Sequence, residues 1–254
     1  MTTTTPSPAD TRVTTAVGVV RGSAPGAPVR VDATDGLLAV RTVSRSTDHA
    51  EVALVATGAV LLGGDHVVVR LDVADGCALR VTDVGGTVAY DGEGAGCRWD
   101  VEVRLGRDAR LDWYGMPLVV STGADVQRTT SAHLGPGARM VLRETVVLGR
   151  DGERGGRVVL RSEVTDDDGP VLVEEVVADG GRPVPGVLGP HRVLDTLNVL
   201  HATGTDPQDE AAPPLAPEPA GEHVATLELE RGGRLVRWLG GAAHLSPIER
   251  ALCR

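Results

Sequence analysis

A motif that recurs about every 30 residues is the feature of this sequence that most restricts its fold. Its three copies run from Asp75 to Val81, from Arg107 to Trp113 and from Pro136 to Leu142, and each has a turn residue, a small residue and then apolar residues two positions apart. A period of this length is typical of folds in which one supersecondary unit stacks on the next. The repeat predicts an all-β fold, a stacked β-helical or solenoid-like arrangement of short strands, with one or two short α-helices.

The apolar residues also favour strands. They make up 41% of the chain, yet there is no Phe and there are only three Trp and two Tyr, so Val, Leu and Ala must build the core. Branching at Cβ suits Val to a pleated surface and restricts it in a helix. The segments from His66 to Asp72 and from Trp99 to Leu105 alternate as strands with one buried face do.

Composition divides the chain into four segments. Residues 1–12 predict a disordered N-terminal tail, and residues 13–204 predict the main β domain. Residues 205–222 are rich in proline and acidic side chains and predict a flexible linker or loop. Residues 223–254 predict a hairpin with a Gly-Gly turn and a short helix starting at Ser246 and Pro247, which together complete the domain.

Three local predictions add detail to the main domain. Val193, Leu194, Leu197 and Leu200 have helical spacing and predict a helix. The polar stretch from Arg41 to Ala50 predicts a loop. Two strands, residues 158–164 and 171–177, are predicted on either side of an Asp-rich turn, whose spacing does not match a calcium loop.

Several classes of function are disfavoured. A formal net charge of −10 argues against nucleic acid as a partner. There is no G-x-S-x-G motif and no phosphate-binding glycine motif, and the seven histidines are isolated from one another in sequence. The three cysteines fit neither a zinc site nor a disulfide framework. Without a signal-like N-terminus or an apolar run of about 20 residues, the expectation is a soluble, cytoplasmic protein that does not enter membranes.

Three carboxylates stand in apolar company: Asp65, Glu144 and Glu174. A charge that faces inward is costly unless it is paired or solvated. Each of the three therefore either meets an arginine or lines a wet passage, whose oxygen ligands would let a divalent metal ion pass without holding it tightly.

Large side chains are concentrated in the segment from Trp113 to Pro117. Trp113, Tyr114 and Met116 either cap the core or form an anchor for a partner protein. Together with His191 they are the candidate partner-binding residues.

The order of several short motifs resembles the urease accessory protein UreD family, called UreH in some bacteria. The motifs are Gly64-Asp65 with the strand after it, residues 86–90, residues 113–118 and residues 148–150, and the similarity extends over about residues 18–204. The chain departs from the family pattern at Gly86-Thr87-Val88, where a lysine is usual, and at residues 151–153, where the acidic residue follows without the usual spacer.

The resemblance implies a non-enzymatic scaffold with an all-β stacked fold. It implies that the scaffold binds apo-urease and the accessory proteins UreF and UreG, and helps to deliver nickel to the urease active site through an internal tunnel. It also implies that no cofactor is held stably, with nickel in transit and Asp65, Glu144 and Glu174 as its candidate ligands. The alternatives are a β-rich enzyme with a site assembled from distant carboxylates, and a structural or adhesion-type solenoid.

Overall fold

The protein is described by a computed structural model, which covers residues 11–203 and 223–248. The strands are β1 Thr11–Val20, β2 Arg30–Thr34, β3 Leu38–Arg45, β4 His49–Ala56, β5 Asp65–Val73, β6 Ala78–Asp83, β7 Thr87–Ala89, β8 Cys97–Leu105, β9 Arg110–Tyr114, β10 Leu118–Val120, β11 Asp125–Leu134, β12 Arg139–Leu148, β13 Arg157–Asp166, β14 Gly169–Asp179, β15 Val193–His201, β16 His223–Glu228 and β17 Gly233–Gly240. A 3-10 helix spans Ala243–Leu245. Within these ranges no helix is long and apolar enough to cross a membrane.

The strands form two sheets. The first has the order β14-β13-β11-β8-β5-β1-β2, and the second has the order β16-β17-β15-β12-β9-β6-β4-β3, with β10 pairing with β12 and β7. In the first sheet the strands from β13 to β1 are parallel, and the outermost strands β14 and β2 are antiparallel to their neighbours. In the second sheet the strands from β12 to β4 are parallel, whereas β3 at one edge and β15, β17 and β16 toward the other pair antiparallel. The chain alternates between the sheets, so each coil contributes a strand to both, and the expected stacked β fold is confirmed.

The register of the second sheet gives the length of each coil. Ala78 pairs with Arg110 and Arg110 pairs with Arg139, which corresponds to steps of 32 and 29 residues (110 − 78 and 139 − 110). The turns stack as well, because the Arg107 amide donates to Asp75 Oδ1 at 2.8 Å. The roughly 30-residue period read from the sequence is therefore the pitch of the coil.

Each of the three stacked turns contains one residue with positive φ. These residues are Gly76 at 60°, Asp108 at 51° and Gly137 at 73°. Glycine adopts this left-handed conformation at little cost and aspartate tolerates it, whereas most other residues are strained there. This requirement explains the Gly or Asp that follows the first residue of each repeat.

The main core lies between the sheets and is built largely from valine and leucine, with Trp99 and Trp113 inside. A second cluster covers the outer face of the second sheet, where Leu197, Val236 and Trp238 pack beneath Ile248. Sheet residues are thus buried on both faces in this region, and the C-terminal segment covers the outer face.

A buried ion pair lies on this outer face. Asp195 accepts hydrogen bonds from Arg143 at 3.0 and 2.9 Å, from Thr145 at 2.9 Å and from Ser246 at 2.5 Å. The Arg143 side chain is 6% exposed and that of Asp195 is fully buried. The pair ties β12 and β15 to the C-terminal segment.

The predicted helix at residues 193–200 is wrong. This segment is strand β15, and all residues from Val193 to Leu200 are buried because the main core lies on one side and the second cluster on the other. Complete burial hides the two-residue period of a strand. The spacing of four apolar residues therefore matched a helix only by coincidence.

The predicted loop at residues 41–50 is also largely wrong. Strand β3 extends to Arg45 and β4 begins at His49. Residues 41–45 are exposed because β3 is an edge strand of the second sheet. Their polarity reflects this edge position and does not indicate a loop.

The predictions for residues 158–164, 171–177 and the C-terminal hairpin are confirmed by β13, β14 and the pair β16 and β17. Residues 247 and 248 are helical, and Ser246 Oγ accepts a hydrogen bond from the Ile248 amide at 3.1 Å, as an N-cap does. The rest of that predicted helix lies outside the described residues, as do residues 1–10 of the predicted tail and the predicted linker at residues 205–222. Thr11 and Arg12, the last residues of the predicted tail, belong to β1.

Candidate functional site: a row of charged residues between the sheets

The interior face of the second sheet carries a row of polar residues across its strands. Glu144 pairs with Thr196, and Thr196 pairs with Arg237. Asp83 lies on the same face of the sheet. Val81 and Leu142 both align with Trp113, and Asp83 and Glu144 each lie two residues after them. Side chains of the first sheet complete what we call the interior polar row: Asp83, Arg128, Thr130, Glu144, Glu174, Thr196 and Arg237.

Glu144 is held by two side chains of strand β11. Arg128 Nε donates to Glu144 Oε1 at 2.6 Å, and Thr130 Oγ1 lies 3.3 Å from the same oxygen. The Arg128 side chain is 11% exposed and that of Glu144 is 14% exposed, so the ion pair lies largely out of water. The Arg128 guanidinium also lies over the Trp99 ring, 5.2 Å from its centre, so a cation–π interaction stabilises the guanidinium in addition to its ion pair with Glu144.

Glu174 forms the matching contact nearer the open edge of the sheets. Arg237 donates to both of its oxygens, at 2.9 and 2.7 Å, and the Arg237 Nε donates to Thr196 Oγ1 at 3.3 Å. These side chains are 21% and 28% exposed. A bidentate pair fixes the orientation of both groups. Both carboxylates therefore meet an arginine, which is one of the two outcomes expected from the sequence.

Asp83 belongs to this row although it was not among the sequence candidates. It accepts hydrogen bonds from Trp113 Nε1 at 3.2 Å and from the Met116 amide at 3.0 Å. Burial raises the pKa of Asp83, and these bonds and the charge of Arg128 oppose that effect. The alternation of Leu79, Val81 and Asp83 was the available signal, because it places the carboxyl on the buried face.

Two buried polar atoms and one small cavity are further features of this interior. Trp99 Nε1 and Asn198 Oδ1 are buried and have no hydrogen-bond partner among the described residues. A cavity of about 10 Å³ is lined by Asp83, Trp99, Arg128 and Glu144 among others. That volume is about what one water molecule needs. The row thus combines carboxylate oxygens with a cavity of about the volume of one water molecule.

The third carboxylate candidate, Asp65, lies outside the row. It is the first residue of β5, and its side chain accepts a hydrogen bond from the Leu62 amide at 2.9 Å. Its register partner in β1 is Thr11. The structure therefore brings Glu144 and Glu174 together in one row and leaves Asp65 in a turn at the end of an earlier coil.

The candidate partner-binding residues separate by exposure. Trp113 is 1% exposed and packs in the main core, which favours the core-packing interpretation for this residue. Tyr114 is half-buried against the second cluster, and its burial raises the pKa of the phenol. Met116 is 46% exposed. His191 lies far along the chain from these residues and stacks edge-to-face with His223.

The Asp-rich turn and the cysteines, which were not among the sequence candidates, lie outside the interior polar row. Asp166 in the Asp-rich turn is buried and bonds to Thr203 and Arg231, while Asp167 and Asp168 are exposed. Cys77 and Cys97 are free, buried thiols. Within residues 11–203 and 223–248, no group of three His, Cys, Asp or Glu side chains is arranged to hold a metal ion.

Comparison with known proteins identifies the family. The family model described as UreD urease accessory protein matches residues 26–247. The chain is 37% identical to urease accessory protein UreD 1 of Streptomyces griseus over 249 residues, covering 97% of this chain and 92% of the relative. It is 35% identical to urease accessory protein UreD of Streptomyces coelicolor, covering 93% and 92%. It is 34% identical to the same protein of Streptomyces avermitilis, covering 93% and 94%.

These matches extend over nearly the whole length of both chains. They include the repeat region, the interior polar row and the C-terminal hairpin. The relatives are named as accessory proteins of urease, which favours the scaffold over the alternative of an enzyme built from distant carboxylates. The chain belongs to the UreD urease accessory protein family.

Proposed function

We propose that this protein is a scaffold in urease maturation, which binds apo-urease together with UreF and UreG and assists the delivery of nickel. Membership of the UreD family supports the role in maturation. The observation that carries the nickel proposal is the interior polar row. It presents carboxylates between two sheets that are otherwise packed with valine and leucine.

In this proposal nickel is cargo and not a resident cofactor. Glu144 and Glu174 act as successive transient ligands, and Asp83 is a third carboxylate on the same row. Each glutamate already has a guanidinium partner. An arriving divalent cation must displace that arginine, and it must leave again when the arginine returns. Such exchange suits passage better than storage, because the ion never meets a full set of protein ligands.

Binding to other proteins is proposed through exposed parts of the coil, with Met116 and His191 as the accessible members of the candidate set. Met116 is next to the Asp83 end of the row, because its own amide bonds to that carboxylate. A partner seated over Met116 would therefore lie directly at one end of the proposed passage. Methionine suits such a surface because its flexible side chain adapts to different contacts.

The test is co-expression with the urease subunits and the other accessory proteins, followed by measurement of nickel per urease and of urease activity. Deletion of this chain should leave urease short of nickel. Glu144→Gln and Glu174→Gln should assemble with the partners and deliver severalfold less metal.

Glu175→Gln provides the matched control. Glu175 adjoins Glu174 but faces the outer side, where it pairs with Arg161 at 2.5 Å. It should deliver nickel as the wild type does. Full nickel loading in the deletion strain would reject the role in maturation. If urease receives as much nickel with each of the three glutamine variants as with the wild type, the passage is rejected and the scaffold role stands.

A further inference from the structure

Two histidines from separate parts of the chain meet beside the open edge of the two sheets. His191 lies two residues before β15, and His223 is the first residue of β16. Their ring centres are 4.7 Å apart and the rings are inclined by 62°. His191 is half-buried and His223 is exposed, so ions in solution can reach the pair.

This separation is compatible with two imidazoles that share one metal ion. With metal–nitrogen bonds of about 2.0–2.1 Å and a ring centre about 1.2 Å beyond each nitrogen, neighbouring ligands at 90–110° have ring centres roughly 4.5–5.3 Å apart. The observed value falls inside that range. Imidazole nitrogen is a ligand that suits nickel, copper and zinc.

The surroundings favour weak and reversible binding. His191 lines a pocket of about 290 Å³ that also includes Glu153 and Asp179. Glu153 is held by Arg150 at 2.6 Å, and Asp179 accepts hydrogen bonds from the Gly181 and Arg182 amides. These carboxylates are engaged, so water would complete the coordination. The positive charge of Arg192 beside His191 lowers the affinity for a cation further.

The pair stands next to one end of the interior polar row. His223 pairs with Leu239, and Ala225 pairs with Arg237. Ala225 lies opposite Arg237, and His223 is two residues before Ala225 in the same strand, a distance of about 7 Å. His223 also shares the inner side of the sheet with Ala225, since Val224 between them packs in the outer cluster.

We propose that His191 and His223 form a low-affinity binding site for Ni²⁺ at the Glu174 end of the interior polar row. Ion binding by the pair rests on the geometry of the two rings alone. Its use as the point where nickel enters or leaves the row rests on the proposed function.

The experiment is a titration of the full chain with NiCl₂, followed by calorimetry, with X-ray absorption of the loaded protein. The wild type should bind one Ni²⁺ ion with scattering from two imidazoles. His191→Ala and His223→Ala should each weaken binding by about tenfold or more, and the double variant should lose the site. His49→Ala is the matched control, since His49 is a half-buried histidine in β4 that is outside this pair.

Two outcomes would overturn the inference: no Ni²⁺ bound by the wild type, or unchanged binding by the double variant. Thermal melting checks that the variants fold, which is expected because neither ring lies in the core. The same variants in the urease co-expression assay separate the two proposals. If the double variant loses the site and urease still receives nickel normally, the pair is not the point where nickel enters or leaves the row. If the wild type has the site and urease is fully loaded in the deletion strain, the maturation role alone is rejected.

Discussion

Breaking the buried ion pair between Arg143 and Asp195 should strongly destabilise the fold. Asp195→Asn keeps the shape of the side chain but removes its charge. The new side chain presents either its NH₂ group or its single carbonyl oxygen to Arg143. Two charge-assisted hydrogen bonds are weakened, each worth about 1.5–3 kcal/mol. Removing one partner of a buried pair costs about 3–5 kcal/mol. For a domain of this size, the expected fall in Tm is about 6–20 °C.

The measurement is urea unfolding followed by tryptophan fluorescence, with calorimetry for Tm. The double variant Arg143→Met with Asp195→Asn removes both charges, and it should be at least about 2 kcal/mol more stable than Asp195→Asn alone. The exposed pair of Arg161 and Glu175 gives a matched comparison, because Glu175→Gln should cost less than about 1 kcal/mol. Equal destabilisation by the single and double variants would refute the electrostatic explanation.

Three further predictions follow from burial and pairing. Trp113→Ala should cost about 3–5 kcal/mol and Met116→Ala less than about 0.5 kcal/mol in urea unfolding, because only the first side chain fills the core; similar costs would contradict their assignments. Burial raises the pKa of the Cys97 thiol to about 12, so at pH 8 iodoacetamide should modify it, by mass spectrometry, only after unfolding. Hydrogen bonds from Thr203 outweigh burial and lower the pKa of Asp166 from 3.8 to about 2, which corresponds to about 2 kcal/mol of stability. This contribution should be complete above about pH 5 and be lost as the pH falls through 2, and it should be absent from Asp166→Asn in melts across that range.

The repeat and the alternating strands could be predicted from the sequence because they are local patterns. The steps of 32 and 29 residues are visible in the sequence because each turn needs Gly or Asp at one position. The same local reasoning failed for β15, where burial on both faces removes the alternation, and for residues 41–45 of β3, whose exposed side chains form no apolar face.

The partners of the interior carboxylates could not be predicted. Arg128 and Glu144 are 16 residues apart, and Glu174 and Arg237 are 63 residues apart. Their meeting depends on the register of strands in two different sheets, which no local pattern specifies. The sequence could indicate that Glu144 faces inward, but it could not separate Glu174 in the row from Asp65 in a turn.

The position of β1 has a consequence for synthesis on the ribosome. Thr11 pairs with Asp65 in parallel, so 54 residues (65 − 11) separate the partners. β2 follows β1 closely in the chain and pairs with it, but at about 5–20 residues per second the neighbour on the other side of β1, strand β5, is made roughly 3–11 s after β1. During that interval Val17 and Val19, which are buried in the finished protein, belong to a hairpin with β2 in which the other edge of β1 is still unpaired. The open edge of β1 therefore remains available for pairing with another chain until β5 has been translated.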